Sequence, residues 1–225
     1  EKSGSLLPGE IRPAVSLLIR ISDTFELQSW EFCRSLVRSA TKLSYDDADA
    51  ALKDPARPYG PQLQMLSAVA GPLRAERLAA GALEMDRPEL KVHVDQHKNV
   101  VITATLVPTP ARRLVAEFMV LTNNLTGKYL REKNVPAIYR SQEPVNMEDI
   151  PDTSIDAVRQ FHILRRIRPS LLSTTSGFHA LIGVEPYVQA TSPLRRYTDL
   201  VNQRQLTSVL SADCPQYGLE EISNV

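Results

Sequence analysis

A mixed α+β fold, with antiparallel β-strands packed by several α-helices, is predicted by three features of the sequence. Val15, Leu17, Ile19 and Ile21 alternate with their neighbours, the two-residue period of a strand with one buried face. Leu114, Phe118, Leu121, Leu125 and Tyr129 recur at three- and four-residue steps, the period of a helix. Ser192 followed by Pro193 reads as a cap and first residue of another helix, because proline lacks an N–H where none is needed and its φ already suits the helix.

Taken in order, the strand at 15–21 pairs with a second one around Trp30 and Phe32, across a turn near Asp23 and Thr24. A helix is expected at 45–53, with Asp46, Asp47 and Asp49 near its positive end. Three prolines make 54–61 a loop. Helix 62–82 carries Leu63, Leu66, Ala70, Leu73 and Arg77 on one face, and Gly71 with Pro72 should kink or split it. Segments 90–94 and 100–106 read as a hairpin around 95–99. Further helices are expected at 111–131, 153–168 and 193–210, the last with Leu194, Tyr197, Leu200 and Val201 as its apolar stripe. No internal repeat or Gly/Ser-rich linker divides the chain.

The run Thr191, Ser192, Pro193, Leu194, Arg195, Arg196, Tyr197 concentrates the chemistry. It puts Arg195 at the third helical position, where the helix dipole opposes a cation by roughly 0.3 to 1 kcal/mol and favours an anion by as much. A bound phosphate would reverse the sign, satisfying free N–H groups and guanidinium together. The bland alternative is that both arginines are solvated or pair with nearby carboxylates. On helix 111–131, Glu117 stands beside the apolar stripe, half committed to the interior; the bland alternative is a surface salt bridge with Arg113 or Arg112, worth little.

The chain has 225 residues, 43% of them hydrophobic, which is enough for one large domain or a large part of one. Its 26 basic and 26 acidic residues cancel, so any nucleic-acid contact is expected in a channel lined by a few arginines and not over a basic exterior. Cys33 and Cys214 are too few for a disulfide framework and suit a reducing compartment. No apolar run is long enough to span a membrane, and the chain is expected to be soluble and intracellular, cytoplasmic of bacterial type or organellar. His93 and His97 lie in the expected hairpin without a third ligand nearby, and no metal site is expected from them. His162 reads as a surface or packing residue beside Arg165, Arg166 and Arg168.

Five blocks, in order, resemble the RNB catalytic domain of the ribonuclease II and ribonuclease R family. They are LLPGEIRPAVSLLIRIS at 6–22, RSATKLSYDDADAAL at 38–52, RRLVAEFMVLTNNLTGKYL at 112–130, PAIYR at 136–140, and a last block running from Gly177, Phe178 and His179 through Tyr187 and TSPLRRY to Asp199 and Arg204. The resemblance implies a 3′–5′ exoribonuclease that degrades single-stranded RNA to nucleoside 5′-monophosphates, with magnesium as cofactor. It implies that Arg195 is catalytic, holding the scissile phosphate, and that Tyr45, Glu117, Tyr187, Thr191, Ser192, Arg196 and Tyr197 bind RNA. Tyr45 and Glu117 would read the ribose near the 3′ end, where a 2′-hydroxyl both donates and accepts. The family holds magnesium through a D-x5-D-x-D-D cluster that lies ahead of the matched region. Residues 1–225 are therefore expected to be the C-terminal part of one RNB domain, with the metal ligands outside this chain. Where ribonuclease R-like sequences show histidine, Gln142, Gln189 and Gln203 stand here, marking a divergent branch. The alternative is a catalytically inactive RNB-like RNA-binding module.

Overall fold

A computed structural model describes residues 5–84, 89–96, 98–105, 108–150 and 156–224. The elements are β1 (Ile11–Ile21), β2 (Leu27–Arg38), α1 (Tyr45–Lys53), α2 (Gly60–Ala79), β3 (Glu89–Val94), β4 (Val100–Thr105), α3 (Pro110–Glu132), β5 (Tyr139–Ser141), α4 (Asp156–Arg166), β6 (Leu171–Ser173), α5 (Tyr197–Leu210) and α6 (Leu219–Ser223). The strands form three separate antiparallel ladders, β1–β2, β3–β4 and β5–β6, so the fold is α+β with no single large sheet among the described residues.

Alternation along β1 and β2 does what the sequence requires of it. The register sets Leu17 opposite Phe32 and Ile19 opposite Trp30, and these four side chains pack on the core with Tyr129 of α3 and Leu206 of α5. The Phe32 and Tyr129 rings meet at 5.5 Å between centroids, and Trp30 stands edge-on to both, at 5.9 and 6.2 Å. Ser44 caps α1 in a reciprocal box with Asp47. Burial is no part of that bond: hydrogen bonds from the Ser44 hydroxyl and N–H hold the Asp47 carboxyl below the usual range. Asp49 reaches across to accept the Ala111 N–H at 2.8 Å, serving α3, whose own preceding residue Thr109 makes no side-chain cap.

Several sequence expectations are corrected. The Gly71–Pro72 pair does not split α2, which runs unbroken from Gly60 to Ala79. Pro72 and Ala68 both face solvent, so the carbonyl that proline leaves without a helical donor is open to water. The last long helix starts at Tyr197, not Pro193, and its buried face keeps Val201 of the expected stripe but is otherwise mostly polar. Leu194 and Tyr197 are exposed, whereas Asp199, Val201, Asn202, Gln205 and Leu206 are buried. Helix α4 stops at Arg166, three residues before Pro169; its expected start at 153–155 lies outside the described residues, as do Leu106 at the end of β4 and His97.

The polar face of α5 has a physical reason. Residues 186–190 cross between α3 and α5 with one isolated bridge to Tyr139, so their backbone groups have no ladder to satisfy them. Side-chain amides substitute. Asn124 donates to Pro186 O at 2.8 Å, Asn123 accepts from Ala190 N–H at 3.0 Å, and Gln203 donates to Ala190 O at 2.6 Å. Asn202 donates to Gln189 O at 3.0 Å and to Ile138 O at 3.0 Å, and accepts from Ile138 N–H at 2.9 Å. Gly127 admits this segment to α3, since a Cβ there would stand 3.2 Å from the Pro186 ring. Asn202→Leu should destabilise the protein by about 2–4 kcal/mol, because it strands buried backbone groups while keeping the volume. Urea unfolding would show this as a lower midpoint at unchanged slope.

Candidate nucleic-acid interface

The amide frame delivers the chain at Ala190 into the TSPLRRY turn. Arg195 and Arg196 N–H groups both bond to Ser192 O, at 3.2 and 3.1 Å, closing one tight turn. Arg196 then adopts extended backbone, φ −128° and ψ 122°, and α5 begins after it. Asp199 explains the late start. Its carboxylate, fully buried, accepts the Ser192 N–H at 2.8 Å and Arg196 Nη2 at 2.8 Å, folding the turn back over the first turn of α5.

The two adjacent arginines consequently differ. Arg195 is exposed, its Nη2 reaching Ser192 Oγ at 3.3 Å. Arg196 turns inward, bonded to Asp199 and reaching Thr191 Oγ1 at 3.5 Å. With its amide oxygen turned toward the arginines, Gln189 accepts from Arg196 Nη1 at 3.1 Å and from Arg140 Nη1 at 2.8 Å. Arg140, at the end of the PAIYR block, is further anchored by Ser170 Oγ at 2.6 Å.

Tyr187 is buried, its hydroxyl accepting from Asn123 Nδ2 at 3.2 Å, and burial pushes its phenol pKa up. Its ring meets His179 edge-on at 5.4 Å. His179 Nδ1 is buried without a hydrogen-bond partner. Burial pushes that imidazole down to about 4, and the positive charge of Arg140 acts in the same direction.

Glu117 and Tyr45 sit apart from the turn. Glu117 is buried and takes a bidentate pair from Arg77 of α2, at 2.8 Å from Nε and through a second contact from Nη2, so neither Arg112 nor Arg113 is its partner. Arg77 also donates to Ile182 O at 2.7 Å, tying α2 and α3 to the segment that leads into the site. This pair lies in the wall of a cavity of about 590 Å³, which no residue of the 189–197 turn lines. Tyr45 is half-exposed, with the Arg112 guanidinium 4.6 Å from its ring centroid. Glu117 precedes Asn123 by six residues, about 9 Å along α3. One rigid helix therefore carries both the Glu117 end and the amides that hold the turn.

The RNB domain profile matches residues 1–212. The chain belongs to the RNB domain family. Relatives include an uncharacterized ribonuclease of Synechocystis sp., 28% identical over 98% of this chain and 33% of that protein. Ribonuclease R of Chlamydia pneumoniae is 24% identical over 93% of this chain and 36% of its own length. The chain thus spans about a third of the curated relatives it matches. Among solved structures, Mycoplasma genitalium RNase R in complex with ribose-methylated single-stranded RNA superposes with a TM-score of 0.81 at 19% identity, covering 99% of this chain and 40% of that one. The yeast pseudonuclease Ssd1 does so at 0.72 and 16%, covering 98% and 32%. These likenesses establish the fold.

RNB exoribonucleases generally use a divalent metal, and the described acidic residues of this chain do not form a site for one. Among the described residues no three His, Cys, Asp or Glu side chains converge. Asp47 is spent on the Ser44 cap and Asp49 on the Ala111 N–H. No described helix is long and apolar enough to cross a membrane. Sequence reasoning missed Arg140, Gln189, Asn123 and Asn202 as parts of the site's frame, because their partners are backbone groups and arginines distant in the chain.

Replacing Arg77 by Met or Glu117 by Leu alone should cost about 3–5 kcal/mol by stranding a buried charge, and the double variant should cost less than either. A double-mutant cycle of urea midpoints checks it. His179 supplies a pH test. Its folded pKa lies below the unfolded value near 6.5, so the unfolded state takes up the proton first and stability is lost as pH falls from about 6.5 toward about 4. The His179→Phe variant should lose less stability than the wild type across that window and match its trend above it.

Proposed function

We propose that this chain is the RNA-binding and phosphate-positioning part of a 3′–5′ exoribonuclease that hydrolyses single-stranded RNA to nucleoside 5′-monophosphates. The observation that carries this reading is the division of labour in the TSPLRRY turn: Arg196 is held inward by Asp199 and Gln189, while Arg195 stands exposed on a turn tied down from three sides. A guanidinium so mounted holds a phosphate at a fixed point and neutralises charge as it develops on the phosphate oxygens, with no reorganisation at the moment of reaction. Family membership and the RNase R likeness support the substrate class.

In this reading Thr191 and Ser192 offer hydroxyls beside Arg195, and exposed Tyr197 offers a ring for a base to stack on. Tyr187 and Arg196 form the wall behind them. Half-exposed Tyr45 and buried Glu117 contribute from the far end of α3, Glu117 sharing its carboxylate with Arg77. A divalent metal, where bound, would supply Lewis-acid activation of water, and none of the described residues is assigned to hold it; what this chain's residues do is bind, orient and neutralise.

In the complete protein, Arg195→Ala should lower turnover of end-labelled single-stranded RNA by about 100-fold or more while changing RNA affinity by less than about tenfold. Equal losses in both would make Arg195 a plain binding residue. RNA binding with no mononucleotide release from the wild type would favour the inactive-module alternative, and a ladder of internal cuts would contradict an exonuclease.

A further inference from the structure

Two guanidinium groups from distant parts of the chain share one neutral acceptor. With the Gln189 amide oxygen turned toward them, Arg140 at the end of the 136–140 block and Arg196 in the turn both donate to it, at 2.8 and 3.1 Å. A carbonyl oxygen has two lone pairs and can serve both, but it brings no charge to offset them. The charged groups facing this point are Arg140 on β5, and Arg196 and buried Asp199 at the start of α5. His179 and Tyr187 approach from the preceding segment, and both feel the Arg140 charge. Two cations therefore meet one carboxylate, and the Arg196 Nε is buried with no partner. Asp199 takes Arg196 Nη2 and Gln189 takes its Nη1, so the two side chains share the inward hold on Arg196.

We propose that Gln189 is a positioning residue for Arg195. Together with Asp199 it draws Arg196 inward and so holds the 192–196 turn with its neighbour's guanidinium outside. The consequence for catalysis rests on the phosphate-holding reading of Arg195; the consequence for the turn does not. A carboxylate at 189 would keep acceptor oxygens for both arginines, whereas a thioether of similar size offers them only a weak acceptor.

The test uses the full-length protein with the similarly sized, weakly accepting Gln189→Met and the accepting Gln189→Glu. Hydrogen exchange of peptides spanning 189–197 and kinetics on single-stranded RNA are measured against wild type, with exchange of the remaining peptides as the folding control. Gln189→Met should raise exchange in 189–197 about tenfold and lower kcat about tenfold, with KM changed less than about twofold. Gln189→Glu should bring both back toward wild type. A Gln189→Met turn as protected as wild type overturns the proposal, as does a Gln189→Glu turn that exchanges as fast as Gln189→Met. Raised exchange with kcat unchanged and KM increased overturns the link to Arg195. A wild-type protein without ribonuclease activity overturns the phosphate reading instead, and the exchange data still decide whether Gln189 holds the turn.

Discussion

Everything around the TSPLRRY turn depends on how a stretch of irregular backbone is satisfied in the interior. Residues 186–190 run between two helices where water cannot serve them, and an unpaired peptide group there would cost about as much as a lost hydrogen bond. Asn123, Asn124, Asn202 and Gln203 supply the missing partners, with Asn123 and Asn202 themselves almost wholly buried. Asn123 and Asn202 both donate and accept while Asn124 and Gln203 donate, so α3 and α5 grip the segment as adjoining strands would. The grip also fixes direction: the chain leaves Ala190 aimed at the first turn of α5, where Asp199 is waiting.

Asp199 then decides which arginine is structural. A buried carboxylate needs charge-assisted partners, and it has the Ser192 N–H and Arg196. Meeting that need bends the turn back and breaks the helical run at Arg196. Arg195, one residue earlier, has no such claim on it. Adjacent residues of identical chemistry acquire different jobs from a single anion three residues beyond them.

Much of this was legible in the sequence, and the failures share a cause. The β1–β2 hairpin, α1 and α3 follow from alternation, a capping serine and helical periodicity, all of which are local. The helix start at Pro193 was misread because the Ser–Pro pattern is a local signal and Asp199 overrules it from one turn away. The apolar stripe expected on α5 holds at buried Val201 and fails at exposed Leu194 and Tyr197, because hydrophobic periodicity assumes an apolar neighbour, whereas α5 faces backbone that needs amides. Glu117 reads as inward-facing from its place beside the α3 stripe, but its partner Arg77 is forty residues earlier and only the fold brings them together. Strands β5 and β6 and helix α6 are too short to show a period at all.

A frame made of asparagine amides also has a chemical lifetime. Heat hydrolyses such amides to carboxylates, a route that aliphatic cores do not share. At Asn202 that single event would exchange an N–H donor for an oxygen facing the carbonyls of Ile138 and Gln189, turning two attractions into repulsions at the root of the turn. Tight packing slows the reaction while the fold persists, and each excursion to the unfolded state exposes the amide anew. Ageing would therefore reach the TSPLRRY turn before it reached the aromatic core under the hairpin, as an irreversible chemical change in a protein that still looks folded.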